Sequence, residues 1–267
     1  MIQDVVIRNN VTIHGEGTQV MLMAHGFGCD QNMWRFITPA FSSHYKIVLF
    51  DHVGSGKSDI SAYDFNKYAS LQGYADDIIE ICESLNLKNV IFLGHSVASM
   101  MGLLAANKAP HIFDSLIMVC PSPRYINDET YYGGFDEADI NELLESVESN
   151  YLGWSSAIAP VIMGNADKPE LSEELANSFC QSNPEIAKQF AKVTFLGDNR
   201  YDLSELKTRT LILQCTSDVI APEAVGKYVH EKVQNSTMVV MEATGHCPHM
   251  SEPKETIESV IRFLANI

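Results

Sequence analysis

No run of apolar residues in this chain reaches the roughly 18 that a membrane-spanning helix requires, so no membrane span is expected. The opening residues, Met1 to Ile7, lack the basic segment and long apolar stretch of a secretory signal. Positive charge is scarce: 18 Lys and Arg stand against 34 Asp and Glu, a net charge of −16. Phosphate backbones are held by clustered Lys and Arg, and none cluster here, so nucleic acid is excluded as a partner. The six cysteines (29, 82, 120, 180, 215 and 247) contain no CxxC pair. A disulfide framework is not expected in so long a chain without a signal, and Cys82, Cys120 and Cys215 read as small core residues in apolar runs. Internal repeats and low-complexity tracts are missing too. These absences together predict a cytoplasmic protein that works on neither membranes nor nucleic acids.

What is present is enough for one large core: 267 residues, 46% of them hydrophobic, fit one domain with an insertion better than two domains. The most informative stretch runs from Asn89 to Ala105. Val90-Ile91-Phe92-Leu93 reads as a buried strand, and from Val97 the apolar residues Val97, Met100, Met101, Leu104 and Ala105 fall on one helical face. Between them sits Gly94-His95-Ser96-Val97-Ala98, the strand–turn–helix setting of a G-x-S-x-G nucleophile elbow, with Ala98 in place of the last glycine. Such an elbow exposes the serine hydroxyl on a sharp turn, and the Val97 N–H becomes an oxyanion donor. Ala98 adds one methyl group, which the turn is expected to tolerate.

Along the chain, residues 2–8 and 11–14, separated by Asn9-Asn10, read as a β-hairpin. The strand at 20–24 runs into His25-Gly26-Phe27-Gly28, where the Phe27 N–H is the expected second oxyanion donor. A short helix at 34–41, a strand at 46–50, a helix at 71–85 and a strand at 116–120 follow. Gly54-Ser55-Gly56-Lys57-Ser58 invites a nucleotide-binding reading, but a phosphate-cradling loop needs glycine at position 51, which is Asp51. From 124 to 200 the strand signal stops, and helices are expected at 136–150, 153–163, 170–180 and 184–195. This predicts a helical cap (124–200) inserted between two parts of a sheet domain (1–123 and 201–267). The sheet resumes with strands at 210–215 and 237–241 and helices at 222–233 and 254–265. Alternating strands and helices predict an α/β architecture with a mostly parallel sheet flanked by helices.

A serine needs a base, and the base an orienting acid. In chain order serine, acid, histidine, the candidates are Ser96, Asp218 after the strand at 210–215, and His246 after the last strand, all on loops at strand carboxyl ends. Asp218 alone would read as a helix cap. His246 and His249 alone could suggest a metal, but no accompanying ligand cluster has metal spacing, so no metal or cofactor is expected and His249 reads as a supporting residue.

With these residues placed, the chain resembles the α/β-hydrolase superfamily throughout. Within it, the chain is similar to the RsbQ-like branch, which is related to the plant karrikin and strigolactone receptors. The closer likeness is carried by His25–Gln31, Phe50–Gly56, Gly94–Val97, Pro121–Asp128, Tyr132–Phe135, Asn150–Trp154 and Gly245–Ser251. The resemblance implies Ser96, Asp218 and His246 as the triad, and Phe27 and Val97 as oxyanion donors. It also implies a V-shaped cap of four helices over a small apolar pocket lined by Phe27, Phe135, Trp154 and Phe195; His95, next to the serine, adjoins the site and is expected at the pocket as well. Two functions are then expected. One is a serine hydrolase cleaving a small hydrophobic ester or lactone through an acyl-enzyme. The other is a stress-signalling regulator that binds or slowly turns over such a ligand and activates a PAS-domain phosphatase, its acidic cap meeting the partner.

Overall fold

The computed structural model describes residues 5–265. In chain order the elements are α1 (Val5–Arg8), β1 (Thr12–His14), β2 (Gln19–Ala24), α2 (Thr38–Phe41), β3 (Tyr45–Phe50), α3 (Leu71–Ser84), β4 (Val90–His95), α4 (Val97–Lys108) and β5 (Phe113–Val119). Then come α5 (Glu137–Ser149), α6 (Tyr151–Met163), α7 (Pro169–Gln181), α8 (Pro184–Phe195), β6 (Arg209–Ser217), α9 (Glu223–Lys232), β7 (Ser236–Thr244), α10 (Pro248–Ser251) and α11 (Pro253–Leu264).

The strands form one sheet in the order β1-β3-β2-β4-β5-β6-β7, parallel except for the β1–β3 pair. The apolar runs are continuous because both faces are covered. Leu22, Phe92, Met118 and Ile212 point to the side packed by α3, α4 and α9. Their neighbours Met23, Leu93, Ile117 and Leu211 point to the side packed by α11 and Trp34. From β2 the chain crosses to β3, and from β4 it crosses the opposite way to β5, so the strand order reverses between β2 and β4. Open α/β sheets bind ligands outside the carboxyl ends of the strands at such a reversal. The loop after β2 and the Ser96 turn both lie there.

Two expectations fail locally. The predicted N-terminal strand is instead the short helix α1, with residues 2–4 lying outside the described residues. Its β-branched run favours a strand, but tertiary contacts override that preference. Val5 is buried, and Arg8 reaches Asp77 at 2.9 Å and Glu80 at 2.7 Å on α3. Asn10 then turns through positive φ into β1, which pairs with β3 and not with a preceding strand. The helix expected over 34–41 splits into a 3-10 turn (Gln31–Trp34) and α2. Pro39, in the first turn of α2, has no N–H to extend a helix running in from Trp34. Elsewhere the elements fall within about three residues of expectation.

Helices α5–α8 lie between β5 and β6 and close over the strand ends. Trp154, Phe179, Phe190 and Phe195 from α6, α7 and α8 each stand 5.2 to 6.2 Å, centroid to centroid, from the Phe27 ring on the loop after β2. Gly28 is required beneath them: it holds φ at +72°, and a Cβ there would sit 1.8 Å from the Phe179 ring.

Candidate active site

Ser96 occupies the corner between β4 and α4 with φ 55° and ψ −123°, a conformation costly for any residue with a side chain. The surrounding structure holds it there. Its N–H donates to the Val119 carbonyl at 2.8 Å, and the Ser99 hydroxyl closes the turn on the Gly94 carbonyl at 2.9 Å. A Cβ on Gly94 would come within 2.7 Å of the Ala98 carbonyl, so the elbow depends on its first glycine. The departure at Ala98 is accommodated, its methyl fully buried in the core.

Three side chains distant in sequence meet here. His246 Nε2 lies 2.7 Å from Ser96 Oγ, and His246 Nδ1 lies 2.7 Å from Asp218 Oδ2. The carboxylate fixes the tautomer: Nδ1–H donates to Asp218, leaving Nε2 to accept from the serine. Asp218 is itself held by the Ile220 and Ala221 N–H groups, which donate to Oδ1 at 2.8 and 3.1 Å. His246 is set by its backbone N–H, which donates to the Ile162 carbonyl of α6 at 2.9 Å. All three residues are buried, with Ser96 5% exposed. Val97 opens α4, so its N–H is one of the first-turn donors that no helical carbonyl can satisfy. Phe27 sits in the turn closed by the Cys29 N–H on the Gly26 carbonyl at 3.3 Å. Together these groups bring a serine hydroxyl, an imidazole oriented by a carboxylate and the first N–H of α4 to one corner of the fold.

Of the residues expected around the pocket, Phe27, Trp154 and Phe195 join one aromatic cluster. Phe135 is half-buried against the same core, bridging to Ile126 through the Asn127 N–H at 2.8 Å. His95 is placed differently from the pocket-lining position expected for it. Its Nε2 donates to the His246 carbonyl at 2.8 Å, its ring packs on those of His246 and His249, and its Nδ1 lies only 2.5 Å from where a Cβ on Gly26 would be. The strand's alternation turns its side chain into the scaffold under the loop after β2. His249 is buried between His95 and Trp34, and neither of its ring nitrogens has a partner among the described residues.

Sequence reasoning missed Tyr125, Phe179 and Phe190. The Tyr125 hydroxyl stands 3.5 Å from Ser96 Oγ, its ring packs on Phe195, and burial raises its pKa to about 12, so it stays protonated. It belongs to the Pro121–Asp128 stretch already singled out, but nothing in that stretch says which side chain turns inward. Cys120, Asp218 and His246 are the one group among the described residues close enough to hold a metal ion, with ligand atoms within 4.8 Å of one another. The direct imidazole–carboxylate contact already uses two of those atoms, and burial pushes the Cys120 thiol well above its usual pKa.

A mostly parallel sheet with a strained serine after one strand, and acid and histidine after later ones, defines an α/β hydrolase by architecture. The family profile for the alpha/beta hydrolase fold matches residues 19–253, and the chain belongs to that family. It is 36% identical over 257 residues to the karrikin insensitive 2 receptor CA of Petunia hybrida, spanning 96% of this chain and 95% of that one. It is 35% identical to the strigolactone esterase D14 of Arabidopsis thaliana over 96% of both chains. Among solved structures, a hydrolase from Oleispira antarctica superposes with a TM-score of 0.97 at 42% identity, covering 99% of this chain and 97% of that one.

Proposed function

We propose that this protein is a serine hydrolase that cleaves a small, largely apolar ester or lactone through an acyl-enzyme. The observation that carries the reading is the continuous Ser96–His246–Asp218 hydrogen-bond chain at 2.7 Å per link. As Ser96 Oγ attacks the substrate carbonyl, its proton passes to His246 Nε2. The oxyanion is held by the Val97 and Phe27 N–H groups, each contributing roughly 3 kcal/mol in sites of this kind. Collapse of the tetrahedral intermediate breaks the ester C–O bond, and the leaving oxygen takes the proton from His246. Water, deprotonated by His246, then attacks the acyl carbon and frees Ser96. Asp218 orients the imidazole and stabilises its charged form. An aspartate nucleophile, as in alkyl-enzyme dehalogenation, has no counterpart at position 96. Helices α5–α8 serve as the cap over this site, dividing the core into 1–123 and 201–267. A cytoplasmic setting is consistent with six free cysteines.

A second reading is supported by the name of the petunia relative, a receptor of similar length. In it, slow turnover or mere binding of a small hydrophobic ligand is the signal, and a protein such as a PAS-domain phosphatase of a stress pathway receives it. The test of both is turnover of acetyl to octanoyl esters together with covalent labelling by an aryl sulfonyl fluoride. Multiple turnovers with a Ser96 adduct support the hydrolase; a single turnover followed by arrest supports the receptor-like reading; labelling elsewhere, or none, overturns the site.

Two substitutions probe the pocket. Trp154 packs edge-on against Phe27 and Phe179. Trp154→Ala is expected to move the preferred acyl chain to greater length and to change kcat/KM ratios along the series by about tenfold, since a methylene in such a pocket is worth about 1–3 kcal/mol. An unchanged profile would remove Trp154 from the pocket. Tyr125→Phe deletes one hydroxyl beside Ser96 without emptying space. It is expected to lower kcat about 3- to 10-fold, the scale of one hydrogen bond, with the melting temperature unchanged. Equal kinetics would mean that Tyr125 only packs.

A further inference from the structure

Three separate segments are held in register at this corner of the fold: the Ser96 turn after β4, the Gly26–Phe27 turn after β2 and the Gly245–His246 loop after β7. One side chain, that of His95, meets all three. His95 ends β4 directly before Ser96 and is 2% exposed. Its Nε2 lies 2.8 Å from the His246 carbonyl oxygen. On the side of Gly26 that carries no Cβ, an added Cβ would stand 2.5 Å from its Nδ1 and 3.1 Å from its Cε1. The rings of His246 and His249 flank it, with centroids at 5.0 and 4.6 Å.

A carbonyl oxygen only accepts, so the proton of this contact belongs to Nε2. The Cys247 thiol, 3.9 Å from the same nitrogen, is a longer and weaker partner. Nδ1 has no hydrogen-bond partner among the described residues, and a buried N–H is rarely left so, which places the proton on Nε2 again. The backbone around His246 is then held at successive points. The Gly245 N–H donates to the Ser217 carbonyl at 2.7 Å, and the His246 N–H to the Ile162 carbonyl at 2.9 Å. These two fix the chain up to the His246 nitrogen. The His95 bond fixes the peptide that follows its Cα, and it is the one of the three that a side chain supplies. Burial, with His249 and His246 close by, also keeps the His95 ring neutral. No charge is thereby added beside an imidazole that must itself take up a proton.

We propose that His95 is a positioning residue, whose Nε2–H bond to the His246 carbonyl keeps the His246 imidazole in register with Ser96 and Asp218. The proposal rests on the reading of those three residues as a working triad. His95 touches neither substrate nor reacting atoms, and acts through the backbone of the base.

The test compares His95→Gln with His95→Met. Both side chains lose the ring and have similar length, but the Gln amide carries N–H donors and the Met thioether carries none. Misplacing a reacting group by about 1 Å costs about 100-fold, so His95→Met is expected to lower kcat on a short-chain ester about 30- to 100-fold, with KM within about threefold. His95→Gln is expected to keep kcat at least about fivefold above His95→Met, the scale of one hydrogen bond, at equal folded fraction by tryptophan fluorescence. Packing alone would lower both variants alike. A smaller ratio, or a loss carried by KM, would overturn the proposal. The wild type gives a second readout that needs neither turnover nor a folded variant. Imidazole ¹⁵N–¹H spectra are expected to show His95 as the Nε2–H tautomer, its proton slow to exchange with solvent. The Nδ1–H tautomer, or a rapidly exchanging proton, would equally overturn it. Wild-type protein without Ser96-dependent turnover would sink the hydrolase reading instead, and the spectra would still decide whether His95 holds the His246 peptide.

Discussion

Ser96→Ala is expected to lower the turnover of short-chain esters by about 10⁵- to 10⁶-fold and to abolish labelling by sulfonyl fluorides, as loss of the nucleophile does in serine hydrolases generally. The substitution removes one oxygen and leaves the rest of the site standing. The His246–Asp218 pair does not depend on Oγ, and the backbone donors at Phe27 and Val97 belong to a turn and a helix start. A residual rate above that in water is therefore expected from binding and oxyanion stabilisation alone. Asp218→Asn should cost about 10⁴-fold, because an amide in place of Oδ2 favours the tautomer that cannot accept the serine proton. Stability moves the other way at one substitution. Alanine keeps the φ of 55° that serine already bears, whereas Ser96→Gly relieves it and is expected to raise the unfolding free energy by about 1 kcal/mol or more while eliminating activity. Turnover of Ser96→Ala within tenfold of the wild type, measured on protein free of contaminating esterase, would dismiss Ser96 as the nucleophile.

The parts of this site that were legible in the sequence are those fixed by the chain locally. Gly94-His95-Ser96 declares itself because an apolar run ends, a glycine intervenes and helical periodicity begins, and those same constraints produce the strained corner. Asp218 and His246 followed from chain order and from their position after strands, which the parallel sheet converts into proximity. What escaped depends on the direction in which a side chain leaves a loop or helix. Tyr125 is one of several polar and aromatic residues in an irregular stretch, and only its packing on Phe195 shows that it turns toward Ser96. Phe179 and Phe190 carry the same helical signature as core residues, and they are core as well as cluster. His95 adjoins the serine in the chain, yet the strand's two-residue period sends its ring to the scaffold and not to the pocket. The first helix is hidden in the sequence because Val5-Val6-Ile7 prefers strand, while the helix lying on α3 gives Arg8 two carboxylate partners.

The other large effect expected is acid lability, and it follows from histidines that the proposed chemistry does not use. His25, His52, His95 and His249 are all fully buried, and burial holds each in its neutral form, with pKa values lowered to about 4 for His25 and about 3 for His249 and well below the usual value for the other two. The hydrogen bonds of His25 need the neutral ring. His25 Nε2 accepts from the His52 N–H at 3.1 Å while its Nδ1 donates to the Gly26 carbonyl at 2.9 Å, so a second proton would eject the first partner. The rings also face one another, His25 against His52 and His95 against His249, so charging one opposes charging its neighbour. In the unfolded chain each imidazole takes up a proton near its unperturbed pKa of about 6.5. Between that pH and the folded values the unfolded state binds more protons, so stability is complete above about pH 6.5 and falls as the pH drops. Each group contributes about 1.4 kcal/mol per pH unit, hence about 5 kcal/mol per unit for four acting together, against total stabilities of about 5–15 kcal/mol. The half-buried Asp30 and the buried Asp77, both raised by desolvation, oppose this at the lower end of the window, while Asp128, lowered to about 2 by the Thr130 N–H and Arg200, adds to it only below about pH 4. Urea unfolding at pH 8 to 4 should therefore show a flat plateau and then a steep fall below about pH 6, with global unfolding near pH 4–5. His249→Phe, which keeps a ring between Trp34 and His95, should reduce the slope by about a quarter even if it shifts the plateau. A midpoint independent of pH down to 4.5 would mean that these histidines are protonated in the fold, and that the neutral ring assigned to His25 is wrong.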